Sequence, residues 1–212
     1  MDGITELGLF IITAFALNIT PGPDSLYIIG RSAHQGWRAG TVAALGIASG
    51  VMVHVLAAAL GLSALLATSA TAFTVVKVIG CLYLLYIGFG MLRARHASPE
   101  LPLNDGSACM PLNAIYFQGF LTNTLNPKVA LFFLAFVPQF IAPDATEKAW
   151  SFILLGVIFN VNSLLWSLFL VWASSRLGAR LRHNPAFTVW LNKLAGGLFV
   201  YFGCKLALSQ SA

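Results

Sequence analysis

Long apolar runs separated by short polar ones set the plan of this chain. Six windows are apolar over enough residues to cross a bilayer, roughly 5–30, 40–66, 71–92, 114–140, 150–174 and 188–208, each near or above the roughly 20 residues a spanning helix needs. The first run is expected to stay in the protein, because no basic segment precedes it and Asp2 and Glu6 are acidic, unlike the start of a signal peptide. One stretch departs from the pattern. Residues 93–111, "RARHASPELPLNDGSACMP", are rich in Pro, Ser and charge and read as a central loop. The expected organisation is a three-helix unit over 1–93, a loop over 94–112 and a second three-helix unit over 113–212.

The two units resemble one another. "PDSLYIIG" at 23–30 aligns with "PKVALFFL" at 127–134, preceded by "NITPG" and "TNTLN", and "KVIGCLYLLYIG" at 77–88 aligns with "KLAGGLFVYFG" at 193–203. In the second pair Tyr83 matches Phe199 and Tyr86 matches Phe202. A unit of three spans runs the opposite way through the membrane from its copy, which is the inverted-topology arrangement of many transporters. The fold class expected is an all-α integral membrane protein of six transmembrane helices in two inverted repeats, with helices 1 and 4 broken at Pro motifs.

Those breaks carry the chemistry. An unpaired backbone group in hydrocarbon costs several kcal/mol, so a broken helix is tolerated only against protein or a wet cavity. Corresponding Pro/Gly-interrupted spans are the best sequence pointer to a transport site. Thr20-Pro21 and Asn126-Pro127 read as a cap followed by a first helical proline, so that a fresh half-helix starts inside the membrane. Asp24 and Lys128 occupy equivalent places, each one residue after a proline, where a lone charge costs about 2.5–3.5 kcal/mol on insertion scales. They are expected to face one another or a ligand.

Composition agrees. Hydrophobic residues make up 58% and charged residues 9% of the chain, with a mean hydropathy of +0.82, against about a quarter charged in soluble domains. The net charge of +5 needs no nucleic acid, because the basic residues bracket apolar spans instead of clustering on a polar face. Arg31 and Arg38, Arg93 and Arg95, then Arg176, Arg180 and Arg182 fall in alternate loops, while the opposite loops offer Lys148. The basic loops are therefore expected in the cytoplasm and both termini on the outer face. Cys81, Cys109 and Cys204 form no CxxC pair or disulfide framework, and no cluster has metal-ligand spacing. No cofactor is expected. Ser49 and His54 lack the spacing of a nucleophile and its base. Gly46 and Gly50, with Gly80, Gly88 and Gly196, read as close-packing positions, and His54, Gln118, Gln139, Asn160 and Asn162 as interhelical hydrogen-bonding or pathway residues. Trp37, Trp150 and Trp190, near span ends, fit an interfacial aromatic belt.

"NITPGPD", "LTNTLNPKVALFFLAFVPQF" at 121–140 and the glycine-spaced third span resemble the lysine exporter/homoserine–threonine resistance (LysE/RhtB) family of bacterial amino-acid exporters. The resemblance runs over essentially the whole chain. It implies export of an amino acid or close derivative across the bacterial cytoplasmic membrane, driven by the proton-motive force. The family's motif positions carry over as Asn18, Thr20, Pro21, Gly22, Pro23 and Asp24 in the first break and Asn123, Asn126, Pro127 and Lys128 in the second. A zwitterion needs an anion for its ammonium and a cation or helix N-terminus for its carboxylate, and Asp24 with Lys128 beside the Asn126-capped end supplies both; Asp24 is also a candidate proton carrier. The expected partners are an amino-acid substrate, protons and membrane lipids, and a homo-oligomer is compatible with the sequence. An exporter of another small solute or ion, an intramembrane enzyme and a structural membrane module are the alternatives.

Overall fold

The computed structural model describes residues 3–62, 109–142 and 144–177, with isolated helical positions between 75 and 93 and between 193 and 204. The third and sixth candidate spans, most of the central loop, Cys81 and the second repeat match lie largely or wholly outside the described residues. Among the described residues the regular elements are helical, with one isolated bridge between Ile4 and Ile141. Helix α1 (Leu7–Ile19) is followed by α2 (Pro23–Ala57), which runs on as a π-helical turn over Ala58–Leu62. Helix α3 (Leu112–Thr124) precedes the short α4 (Pro127–Leu131), continued by π-helical and 3-10 turns to Phe140, and α5 spans Lys148–Leu177. By length and composition two helical stretches, Pro23–Leu62 (interrupted at Gly36) and Lys148–Arg176, are apolar enough to cross a membrane, and α3 with its continuation, bent by 44°, makes a third if taken as one span.

Although its hydrogen bonding is nearly continuous, α2 is not straight. Gly36 has φ 82° and ψ −176°, a left-sided conformation open to glycine and strained for other residues. A methyl built on Gly119 of α3 would sit 2.7 Å from the Ala43 carbonyl and 3.3 Å from the Tyr27 ring. Along a straight helix residues 27 and 43 would lie about 24 Å apart. The chain therefore doubles back at Gly36 into a helical hairpin with arms 23–35 and 37–57, and Gly40 of one arm meets the Ser32 side chain of the other. The loop expected over 31–39 is helix on both sides of one reversing residue.

Contacts at the two ends fix the directions. Gln35 Nε2 donates to Met110 O (3.0 Å), Arg31 donates to Gln118 Oε1 (3.0 Å), and Gly40 abuts Val171. At the other end Thr5 N donates to Phe140 O and Ala142 N to Gly3 O, both at 2.9 Å, and Gly3 abuts Ala145 and Ser151. Of the four described segments, α1 with the first arm of α2 runs from the second end to the first, as does α5, whereas the second arm of α2 and α3 with its continuation run side by side from the first end to the second. Arg31, Arg38 and Arg176 belong to the first end, and Glu6, Asp144, Glu147 and Lys148 to the second.

The core is built from aromatic rings and missing side chains. Phe10, Phe132, Phe133, Phe136, Phe140 and Phe159 are buried and interlocked, with ring centroids 4.9–6.2 Å apart. The α2–α3 seam is tighter: Gly46 and Gly50 lie against the α3 backbone at Tyr116 and Phe120, and Gly119 against that of α2, as small residues do between membrane helices. Outside, Val157, Val161, Leu165, Phe169 and Trp172 form an exposed apolar stripe down α5. Such a surface is a liability in water and ordinary against lipid or another apolar helix.

Candidate functional site

The site lies where the two breaks meet. Pro21 has no N–H to give the Leu17 carbonyl, so α1 ends at Ile19. The residue before a proline is pushed toward extended backbone, and Gly22, at φ −159° and ψ −179°, is the N-cap of the helix that restarts at Pro23. The expected Thr20-Pro21 cap is corrected accordingly: Thr20 bonds back to the Ala16 carbonyl through both its N–H and its hydroxyl (3.2 and 2.9 Å). In the second break α3 ends at Thr124 and the chain restarts at Pro127. There Asn126 is the cap, its Oδ1 accepting the Lys128 N–H at 3.0 Å. Pro127 likewise leaves the Asn123 carbonyl without its helical donor, and that carbonyl accepts from His54 Nε2 (3.0 Å) and from Asn126 N (2.8 Å).

Each break holds the charged residue of the other. Asp24 Oδ2 accepts from Asn123 Nδ2 and Asn126 Nδ2, both at 2.9 Å. Both asparagines are buried, at 1% and 2% exposure, so their amides depend on protein partners. Lys128 Nζ donates to the carbonyls of Leu17 (3.2 Å) and Thr20 (3.1 Å), at the C-terminal end of α1, where backbone dipoles favour a cation. Gly22 makes room for it, since a methyl there would sit 3.1 Å from Nζ. Asp24 itself lies in the first turn of its helix, where the dipole favours an anion. The two charges do not form an ion pair with each other. They are cross-braced through neutral groups.

A small cavity of about 20 Å³ opens between them, lined by Leu17, Asn18, Asp24, Ser25, Ile28, Asn123, Lys128 and Val129 together with Phe159, Ser163, Trp166 and Ser167 of α5. That volume holds about one water molecule. Of the ten residues singled out from the sequence, Asn18, Asp24, Asn123 and Lys128 line the cavity, Thr20 and Asn126 brace it, and Pro21, Gly22, Pro23 and Pro127 shape the breaks. Sequence reasoning missed the α5 wall. Ser163 and Ser167, one turn apart and following Asn160 and Asn162 in an apolar run, were the available signal.

Most of the weaker polar positions have structural partners, Asn162 Nδ2 being buried without one. Asn160 donates to Ala48 O (3.1 Å), Gln139 to Ala135 O (3.0 Å), and Ser49 accepts from Tyr116 (2.7 Å). His54 lies on the Asn123 carbonyl and stacks on Phe133, so it is not the base of Ser49. Among the described residues no group of His, Cys, Asp and Glu could hold a metal ion.

Comparison with known proteins places this geometry in a lineage. The profile of the LysE type translocator family matches residues 15–210. An uncharacterized membrane protein of Pseudomonas aeruginosa is 33% identical over 208 residues, covering 97% of this chain and 96% of the relative. A leucine efflux protein of Salmonella typhimurium is 28% identical over 209 residues (99% and 98% covered), and one of Enterobacter sp. 29% over 205 (97% and 96%). No solved structure matches the chain. The chain belongs to the LysE type translocator family, and it is a multi-pass membrane transporter rather than an enzyme.

Proposed function

We propose that this protein exports a small neutral amino acid or close derivative across the bacterial cytoplasmic membrane, by proton antiport with alternating access. The observation that carries the reading is the pair of broken helices that grip one another's charges around a cavity, Asp24 on Asn123 and Asn126, Lys128 on Leu17 and Thr20. Reciprocal bracing of this kind is what two inverted repeats produce when equivalent residues face across a pseudo-two-fold axis. It supports six spans in two units, 1–93 and 113–212. The basic end bearing Arg31, Arg38 and Arg176 is the cytoplasmic one, which puts both termini outside.

The substrate class follows from the wall. Leu17, Ile28, Val129, Phe159 and Trp166 are apolar, and the charged residues in the cavity are Asp24 and Lys128, one for each end of a zwitterion. A second charge on the substrate side chain would have no counter-ion there, and relatives named for leucine efflux point the same way. A cavity of about 20 Å³ is far smaller than an amino acid, so this is a closed form. Substrate enters when the two breaks part, and Asp24, released from its amides, is the proton carrier.

The test is efflux from vesicles loaded with leucine, threonine or lysine, with and without an imposed pH gradient. Leucine efflux accelerated by the gradient, with lysine retained, is expected. Retention of every amino acid by correctly inserted protein refutes the function, and efflux indifferent to the gradient refutes antiport.

A further inference from the structure

Four buried polar atoms of cavity-lining residues have no hydrogen-bond partner: Asp24 Oδ1, Asn123 Oδ1, Asn18 Nδ2 and Trp166 Nε1. Two of these accept and two donate. Buried polar groups are nearly always paired, so these four, on residues that line one cavity, are available to new partners when the breaks part and the cavity grows beyond its present one-water size.

Trp166 is the informative member. It stands on α5, outside the cross-brace, and its ring is held by packing, edge-on to Phe15 (6.1 Å between centroids) and stacked on Phe169 (5.3 Å). Phenylalanine would fill that wall without leaving a buried N–H unmet, and an indole usually finds a partner for its N–H when buried. Ser163 and Ser167, on the same stretch of α5, line the cavity with it. Lys128 is engaged with the Leu17 and Thr20 carbonyls in the closed form, and the two oxygens of a carboxylate have room for a further donor beside it when the breaks part.

We propose that Trp166 donates its indole N–H to the carboxylate of the transported amino acid, with Asn18 as the second donor, while Asp24 Oδ1 receives the ammonium. This rests on the amino-acid export reading and refines it. Lys128 serves as a brace in the closed form, and α5 is the helix that senses the carboxylate.

The experiment uses the full-length chain in vesicles, with Trp166→Phe, which keeps an aromatic ring and removes the donor, and Trp166→His, which keeps a ring N–H. Leucine is compared with isopentylamine, which is leucine without its carboxylate, as a competitor of efflux. A hydrogen bond to a charged group is worth about tenfold or more in affinity. Trp166→Phe is therefore expected to raise the KM for leucine about tenfold and leave the inhibition constant of isopentylamine unchanged, with Trp166→His recovering part of the loss. Equal losses for both compounds in both variants mean a packing role and overturn the assignment, as does an unchanged KM for leucine. Failure of the unaltered chain to export any neutral amino acid would instead remove the export reading itself.

Discussion

Asn126 performs two separable tasks, and substitutions can divide them. Its Oδ1 caps α4 by accepting the Lys128 N–H at 3.0 Å, and its Nδ2 donates to Asp24 at 2.9 Å. Serine keeps the capping oxygen and loses the amide; alanine loses both. Replacing a capping residue by alanine costs about 1 kcal/mol. The bond to Asp24 has two relevant scales, about 0.6 kcal/mol on average for polar contacts between membrane helices and about 1.5–3 kcal/mol for hydrogen bonds to charged groups. Because Asn126 is 2% exposed and Asn123 is the other partner of that carboxylate oxygen, the charged value should govern. Asn126→Ser is then expected to lose about 1.5–3 kcal/mol and Asn126→Ala about 1 kcal/mol more. The assay is equilibrium unfolding of purified protein in mixed micelles, paired with leucine efflux from vesicles. Equal stability of the serine variant and the unaltered protein would refute the role of the amide, and equal stability of the two variants would refute the cap.

Gly119→Ala should destabilise the α2–α3 seam by about 1–3 kcal/mol, the usual cost of overpacking, because its methyl would lie 2.7 Å from the Ala43 carbonyl, whereas Gly8→Ala, with nothing within 4 Å, should be neutral or mildly stabilising; matching unfolding midpoints for the two would show that the seam is not tight. Cys109 is exposed beside Met110, at the end that carries Arg31, so with Cys81 and Cys204 changed to serine an impermeant maleimide should label it only after cells are opened; labelling of intact cells would reverse the orientation.

The breaks were legible because proline acts locally. Whatever the rest of the chain does, Pro21, Pro23 and Pro127 withhold N–H groups from particular carbonyls, and Asp24 and Lys128 are conspicuous in apolar runs. Even there the cap was misplaced, since Thr20 and Gly22 both precede a proline and the extended backbone of Gly22 decides between them. The hairpin at Gly36 was blurred into a loop because the residues around it are polar while remaining helical. The α5 wall escaped for a different reason. In a soluble helix the apolar stripe marks the inside, but lipid is as apolar as leucine, so periodicity alone cannot tell Phe159 and Trp166, which line the cavity, from Val161 and Leu165, which face outward.

The cross-brace also bears on the proposed alternating access, in which these two charges must part. A buried ion pair is hard to part, since stripping one partner from the other costs about 3–5 kcal/mol. Here each charge rests instead on neutral dipoles of the other break, Asp24 on two amides and Lys128 on two carbonyls. A zwitterion brings the same kinds of group, an ammonium with donors for Asp24 and a carboxylate with acceptors for the donors around it. As the breaks separate, the substrate can take over contacts that the empty form makes with itself. On the proposed antiport cycle the barrier to opening would be set by an exchange of hydrogen bonds rather than by the exposure of a bare charge, and protonation of Asp24 would release the same amides once the substrate has left.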